Sequence, residues 1–233
     1  EAMINANAGN QSGSTDCATG TAGPDTITLA TNVTLTTSNN ATNGLPVVTS
    51  AITIEGNGNT ISRQSTSSFR ILAVSSGGNL TLNSATVSGG HAGGMYPSSS
   101  GGGIYVNSGI VTISSSTISG NTASEGGGGI FAVSASLAVS NSTISGNTGA
   151  ISGAGIHAES TTVSISNSTL SGNRGSRYGS GLYAKTATVT VLDSTFSGNT
   201  ANMNGGGIYA KSATVTVTNS ALSSNVASIA RGG

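Results

Sequence analysis

A single interval governs this chain. Gly102-Gly103-Ile104, Gly128-Gly129-Ile130, Ala154-Gly155-Ile156, Ser180-Gly181-Leu182 and Gly206-Gly207-Ile208 follow one another every 26 residues without a slip. The same interval relates Asn121, Asn147, Asn173, Asn199 and Asn225, and it relates Val111, Leu137, Val163, Val189 and Val215. A fixed period of this size marks stacked units, each burying its apolar face against its neighbours. Within a unit the apolar residues alternate, as in Val111-Thr112-Ile113, Val163-Ser164-Ile165 and Val189-Thr190-Val191. A period of two belongs to a strand with one buried face, and helical spacing is absent. Gly clusters and Ser-Gly-Asn triplets supply the positive φ and turn chemistry of sharp corners. Short strands and corners repeated in register wind into an all-β solenoid, a parallel β-helix with 26-residue coils.

Stacking turns each repeated position into a ladder along the long axis, with Ile, Leu and Val inside. The asparagine column is placed to pass amide hydrogen bonds from coil to coil, which is a sufficient structural reason for it. Asn141-Ser-Thr and Asn167-Ser-Thr match a glycosylation sequon but belong to the same repeat. Periodicity also settles a question of composition. Leu, Ile, Val and Phe make up just under a fifth of the chain, which with high net charge would indicate disorder, yet the formal net charge is zero. A few apolar residues at fixed spacing suffice to line an interior.

Nothing in the composition marks a linker, so residues 1–233 read as one domain. Residues 1–50 are read as less regular opening and capping coils, 51–100 as irregular coils, and 101–233 as regular coils. In the irregular part Ile52-Thr53-Ile54, Phe69-Arg70-Ile71 and Leu80-Thr81-Leu82 still alternate. Val87-Ser88-Gly89 precedes Ile118-Ser119-Gly120 by 31 residues, so one coil carries five extra residues. His91 to Ser100, with Met95-Tyr96-Pro97, is read as the resulting loop, and solenoids place recognition on such loops.

The repeats Gly-Gly-Gly-Ile and Ser-Gly-Asn-Thr-Ala resemble those of extracellular right-handed parallel β-helix proteins. That group includes the polymorphic outer-membrane proteins and bacterial proteins with a Cys-Ser-Leu-Arg-Glu-Ala motif. Glu1-Ala2-Met3-Ile4-Asn5-Ala6-Asn7, Gly23-Pro24-Asp25-Thr26-Ile27 and Ile54-Glu55-Gly56-Asn57-Gly58-Asn59-Thr60-Ile61 are similar to its opening segment, first strand and second coil. The likeness covers almost the whole chain, and right-handedness is what it implies. The Cys-Ser-Leu-Arg part is missing, leaving Ala2, Met3 and Ile4 to form a short amphipathic cap. The same solenoid carries adhesins, lyases, hydrolases and passive surface proteins, so the fold does not choose an activity.

Charge excludes some partners. Charged residues are 6% of the chain, and seven Lys and Arg balance seven Asp and Glu. No basic patch exists for nucleic acid or anionic lipid. No run of 18 apolar residues provides a transmembrane helix. The start at Glu1 is that of a processed or partly observed protein. Cys17, the single cysteine, gives no disulfide framework and no metal site, and reads as a small inert thiol.

Lyases and hydrolases on this fold need clustered carboxylates or an acidic Ca²⁺ site beside a basic residue. Glu1, Asp16, Asp25, Glu55, Glu125, Glu159 and Asp193 share no column, although different columns can converge in space. His91 and His157 lack the Cys or acidic cluster that zinc requires. The hydroxyls lack a base and an orienting group, and the Gly runs lack the strand-to-helix context and Lys of a phosphate loop. The expectation is therefore no catalytic residue, no metal and no cofactor.

One residue after the buried Ile runs a column of Tyr105, Phe131, His157, Tyr183 and Tyr209. Alternation sends these side chains outward. Two residues further on, Glu159, Lys185 and Lys211 stack, with Glu159 placed to pair with Lys185. The strip reads either as coil-to-coil stabilisation or as a face for sugar rings or a protein partner. Extrapolation places the next buried Ile at 234, while the sequence stops at Arg231-Gly232-Gly233. The last coil is then expected to present unpaired backbone, covered by further polypeptide or by the first coil of another copy stacked head-to-tail into a filament. The expectation is a non-enzymatic extracellular or cell-surface structural solenoid of bacterial type. A glycan- or partner-binding adhesin fragment and a polysaccharide lyase or hydrolase are the alternatives.

Overall fold

The computed structural model describes residues 1–11 and 18–228, so Asp16, Cys17 and Arg231 to Gly233 lie outside the described residues. Four strands and four corners make one coil. In the third quarter of the chain these are Ile130–Val133, Ser136–Ser140, Thr143–Ser145 and Thr148–Gly149. Every strand inside a sheet pairs in parallel with its equivalents in the coils above and below, as Ile130 pairs with Ile104 and Ile156, and Leu137 with Val111 and Val163. Among the described residues two of the four sheets contain eight strands and two contain six. The expected parallel β-helix is thus observed, with the 26-residue register unbroken from Ile104 onward.

The interior is aliphatic and sealed. Ile104, Val106, Val111, Ile113 and Ile118 are fully buried, as are their successors Ile130, Ile144, Ile156 and Ile165 in the next coils. Each successor lies on its predecessor about 4.8 Å away, the spacing of hydrogen-bonded strands. Most of these side chains touch like side chains above and below.

The corners are less glycine-dependent than the sequence suggests. Ser108, Ser134, Ser160, Thr186 and Ser212 form one column of left-handed residues, and Ser115, Asn141, Asn167, Asp193 and Asn219 form another, all with φ between 47° and 56°. Short polar side chains tolerate this region because they hydrogen-bond locally. The sequon residues Asn141 and Asn167 are corner residues of this kind. Glycine is required elsewhere for a different reason. A Cβ on Gly129 would lie 2.6 Å from the Gly155 carbonyl oxygen, and Gly103, Gly155 and Gly181 meet the same obstacle one coil on.

Two polar ladders run inside the stack. Asn121, Asn147, Asn173 and Asn199 have no exposed surface. Each donates Nδ2 to the next Oδ1 at 2.9–3.1 Å, and the ladder ends on the half-buried Asn225. The expected coil-to-coil amide bonds therefore form. The second ladder went unread in the sequence: Ser116, Ser142, Ser168 and Ser194 each donate backbone N–H to the next serine Oγ at 3.0–3.1 Å.

The N-terminal coils depart from the period where corners lengthen, as at the turn Asn57-Gly58. Phe69-Arg70-Ile71 is not a strand: Arg70 makes only an isolated bridge to Asn43, and all three side chains are buried. The five extra residues lie between the strands His91–Ala92 and Ile104–Asn107, so His91 belongs to a sheet and the loop begins after Ala92. Ala2–Ala8 forms the cap, a helix whose Met3 and Ala6 join the core. Asn7 pins it, donating Nδ2 to the Val47 carbonyl at 2.7 Å and accepting from Thr49 N–H at 2.8 Å. This helix occupies the face on which a copy stacked head-to-tail would have to seat its last coil. No helix among the described residues is long and apolar enough to cross a membrane.

Candidate functional site

The ring column lies on the strands Ile104–Asn107, Ile130–Val133, Ile156–Glu159, Leu182–Lys185 and Ile208–Lys211. Alternation turns Ile104 and Val106 inward and Tyr105 away from the interior, as the sequence implies. The column is nevertheless not an exposed strip. Tyr105, Phe131, His157 and Tyr183 are only 4–8% exposed, and Tyr209 is half-buried. The cause is the chain entering each strand, which doubles back over its own ring. At Gly127, with φ 62°, a Cβ would sit 2.7 Å from Phe131 Cα, and Gly101 and Gly153 hug Tyr105 and His157 in the same way.

Beneath these loops the rings form a second, smaller packed layer. Tyr105 and Phe131 stack with centroids 5.6 Å apart, Phe131 and His157 at 4.3 Å, and Tyr183 and Tyr209 at 5.7 Å. Tyr178, from a covering loop, stacks on Tyr209 at 5.2 Å. The Arg70 guanidinium caps the column 4.4 Å from the Tyr105 ring centroid and donates to the Pro97 carbonyl at 2.6 Å, holding the inserted loop. Burial brings Arg70 down to about 10 and pushes the Tyr105 phenol up to about 12. Covered in this way, the column presents no continuous row of ring faces along which a sugar chain could stack.

The charged column behaves as the spacing predicts. Lys185 Nζ donates to Glu159 Oε1 at 2.5 Å, and Lys211 follows in register. This bond holds the Glu159 carboxyl below its ordinary range and raises Lys185. Half-exposed, the pair contributes roughly 0.2–1 kcal/mol.

His157 is the irregular member. Its Nδ1 shares a 2.8 Å hydrogen bond with Ser152 Oγ, while Nε2 lies 3.7 Å from Glu159 Oε2 and has no hydrogen-bond partner. Burial lowers His157 to about 4, against the opposing pull of Glu159. The imidazole is therefore neutral at physiological pH. Together Ser152, His157 and Glu159 border a cleft of about 260 Å³, whose other walls include Glu125, Tyr96 and Phe131.

Among the described residues, carboxylates from different columns do converge: Glu125 and Glu159 line the same cleft. Glu55 instead accepts from Asn83 Nδ2 at 2.8 Å, and Asp25 from the Thr21 hydroxyl and N–H at 2.9 Å. His91 stands in another sheet, paired with Thr122. Among the described residues no three of His, Cys, Asp and Glu gather as metal ligands would.

A family model described as "Right handed beta helix region" matches residues 50–222. No curated protein and no solved structure matches the chain.

Proposed function

The chain belongs to the right-handed β-helix family, and from that premise we propose that it is a non-catalytic structural element on the outside of the cell, a stiff solenoid rather than an enzyme. The observation that supports this reading is the unbroken stacking itself. Buried Asn and Ser ladders, an aliphatic interior and a covered ring column tie each coil to the next on every side. Repeats so joined resist local opening, which suits a rod that bears load or holds other parts at a distance. A charge-poor surface of Ser, Thr, Asn and Gly, and the resemblance to secreted and outer-membrane β-helix proteins, support the location. With the ring column covered, glycan stacking on that strip is not part of the proposal. With the capping helix in place, neither is a simple head-to-tail filament.

The test is labelling of intact cells of the source organism with a membrane-impermeant amine reagent, followed by mass spectrometry of the peptides carrying Lys185 and Lys211. Modification before lysis supports the surface location, and modification only after lysis overturns it. A polysaccharide screen addresses the non-catalytic half. Release of reducing or unsaturated ends that disappears in Glu125→Gln or Glu159→Gln would remove it.

A further inference from the structure

In a repeat protein the informative residues are those that leave the repeat. Four departures meet at one place. The five-residue insertion brings in Tyr96. Glu125 occupies a column that holds Ile151, Arg177 and Met203 in later coils. His157 stands where the other four regular coils have Tyr or Phe, and Glu159 shares its column with Asn107, Val133, Lys185 and Lys211. Stacking demands none of these choices, since neighbouring coils keep register with other residues there. All four side chains nevertheless line the same cleft, with Phe131 and Ser152.

We propose that this cleft binds a single pyranose ring, neutral or amine-bearing. Its volume, about 260 Å³, lies just under the range of drug-sized pockets and suits a ligand of one ring. No Lys or Arg among the described residues lines it, while two carboxylates do, so it accepts hydroxyl or ammonium donors and disfavours uronates. Lys185 donates to Glu159 Oε1 at 2.5 Å and favours the ionised carboxylate, while Oε2 is the oxygen that faces His157. Tyr96 is 55% exposed and meets Phe131 edge-on, with centroids 6.1 Å apart, which leaves a ring face open to sugar C–H groups.

The strongest pointer is His157 Nε2, a polar atom without a hydrogen-bond partner on a side chain nine-tenths buried. Such a group is costly to leave unmet. The 3.7 Å gap to Glu159 Oε2 is too long for a hydrogen bond. A modest swing of the half-exposed Glu159 carboxylate admits a ligand hydroxyl that bonds both atoms. This site stands apart from the structural role proposed above, and either reading survives the loss of the other.

The test is saturation-transfer NMR and calorimetry on the whole chain with glucose, galactose, mannose, N-acetylglucosamine and glucosamine, and galacturonate as the anionic control. At least one of the first five saturates with a Kd on the order of 1 mM. Galacturonate does not bind. Preference for glucosamine identifies an ammonium at the carboxylates, and preference for a neutral sugar identifies a hydroxyl. Glu125→Gln and Glu159→Gln each weaken binding about tenfold or more. Should Glu159→Gln lower the unfolding midpoint, Glu125→Gln carries the test, because Glu125 takes no part in the Glu159–Lys185 pair. No saturation by any of the five, equal binding of galacturonate, or unchanged affinity in Glu125→Gln overturns the proposal.

Discussion

Replacing Asn147 by Ala should damage this protein far more than the same change at Asn225, and the structure gives the amounts. The Asn147 side chain makes four hydrogen bonds. Oδ1 accepts from Asn121 N–H at 3.0 Å and Asn121 Nδ2 at 3.1 Å, and Nδ2 donates to the Ile118 carbonyl at 2.9 Å and to Asn173 Oδ1 at 3.0 Å. Truncation strands the Asn121 N–H, one Asn121 amide hydrogen and the Ile118 carbonyl where no water reaches. At about 1–3 kcal/mol for each stranded group, and with some relaxation, Asn147→Ala should cost about 4 kcal/mol. Asn225 makes three such bonds but is half-buried, so water replaces the lost partners and Asn225→Ala should cost about 1 kcal/mol. Equilibrium guanidinium unfolding followed by far-ultraviolet circular dichroism measures both. An unchanged m-value shows that the same cooperative unit unfolds in each variant. Costs within about 1 kcal/mol of each other would refute the idea that the ladder's worth lies in dry, reciprocal amide bonds.

Three further outcomes are expected. Thr186 holds φ 50° at an exposed corner whose equivalents are serine, and a β-branched residue is strained there. Thr186→Asn should raise stability by about 1 kcal/mol, read as a higher midpoint in the same titration. Gly129→Ala drives a Cβ to 2.6 Å from Gly155 O and should cost about 3 kcal/mol, whereas Gly120→Ala meets nothing within 4 Å and should cost only the strain of φ 63°, about 1 kcal/mol. His157, lowered to about 4 by burial, takes up a proton more readily in the unfolded chain than in the fold. Its contribution is therefore complete above the ordinary pKa near 6.5 and is lost as pH falls toward 4, up to about 3 kcal/mol. His157→Phe, the residue of the preceding coil, should flatten this part of a thermal-midpoint profile between pH 7 and 4, and an unchanged slope would exclude His157 as its source.

What the sequence disclosed follows from what a repeat can encode. Identical spacing puts Val111, Leu137 and Val163 in one register, and it aligns the asparagines so that their amides can only meet. The Ala2-Met3-Ile4 cap and the lengthened coil were legible for the same reason, as a local amphipathic pattern and a spacing of 31. Burial of the ring column was not. Alternation tells on which side of a strand Tyr105 lies, but not that the chain before Gly101 returns to cover that side. Convergence of Glu125 and Glu159 was hidden likewise: one lies on a covering loop and the other on a strand, in different columns. The serine ladder had a signal, a column from Ser116 to Ser220, that was masked by the abundance of serine around it. Phe69-Arg70-Ile71 misled because an alternating triplet cannot report that its central Arg70 is drawn under a loop to meet Tyr105.

The corner columns carry a consequence for how such a molecule can change its length. Ser108, Ser115, Gly120 and Gly127 divide a coil at fixed positions, and the next coil repeats the division. A segment of 26 residues copied or excised between any two equivalent corners would leave every ladder joined and alter the molecule's reach by one step of about 4.8 Å. A segment of 25 would turn each following strand over, exposing Val189 and burying Thr190. Gene duplication and slippage therefore act on this fold as on a ruler marked only in whole units, with intermediate lengths removed by misfolding.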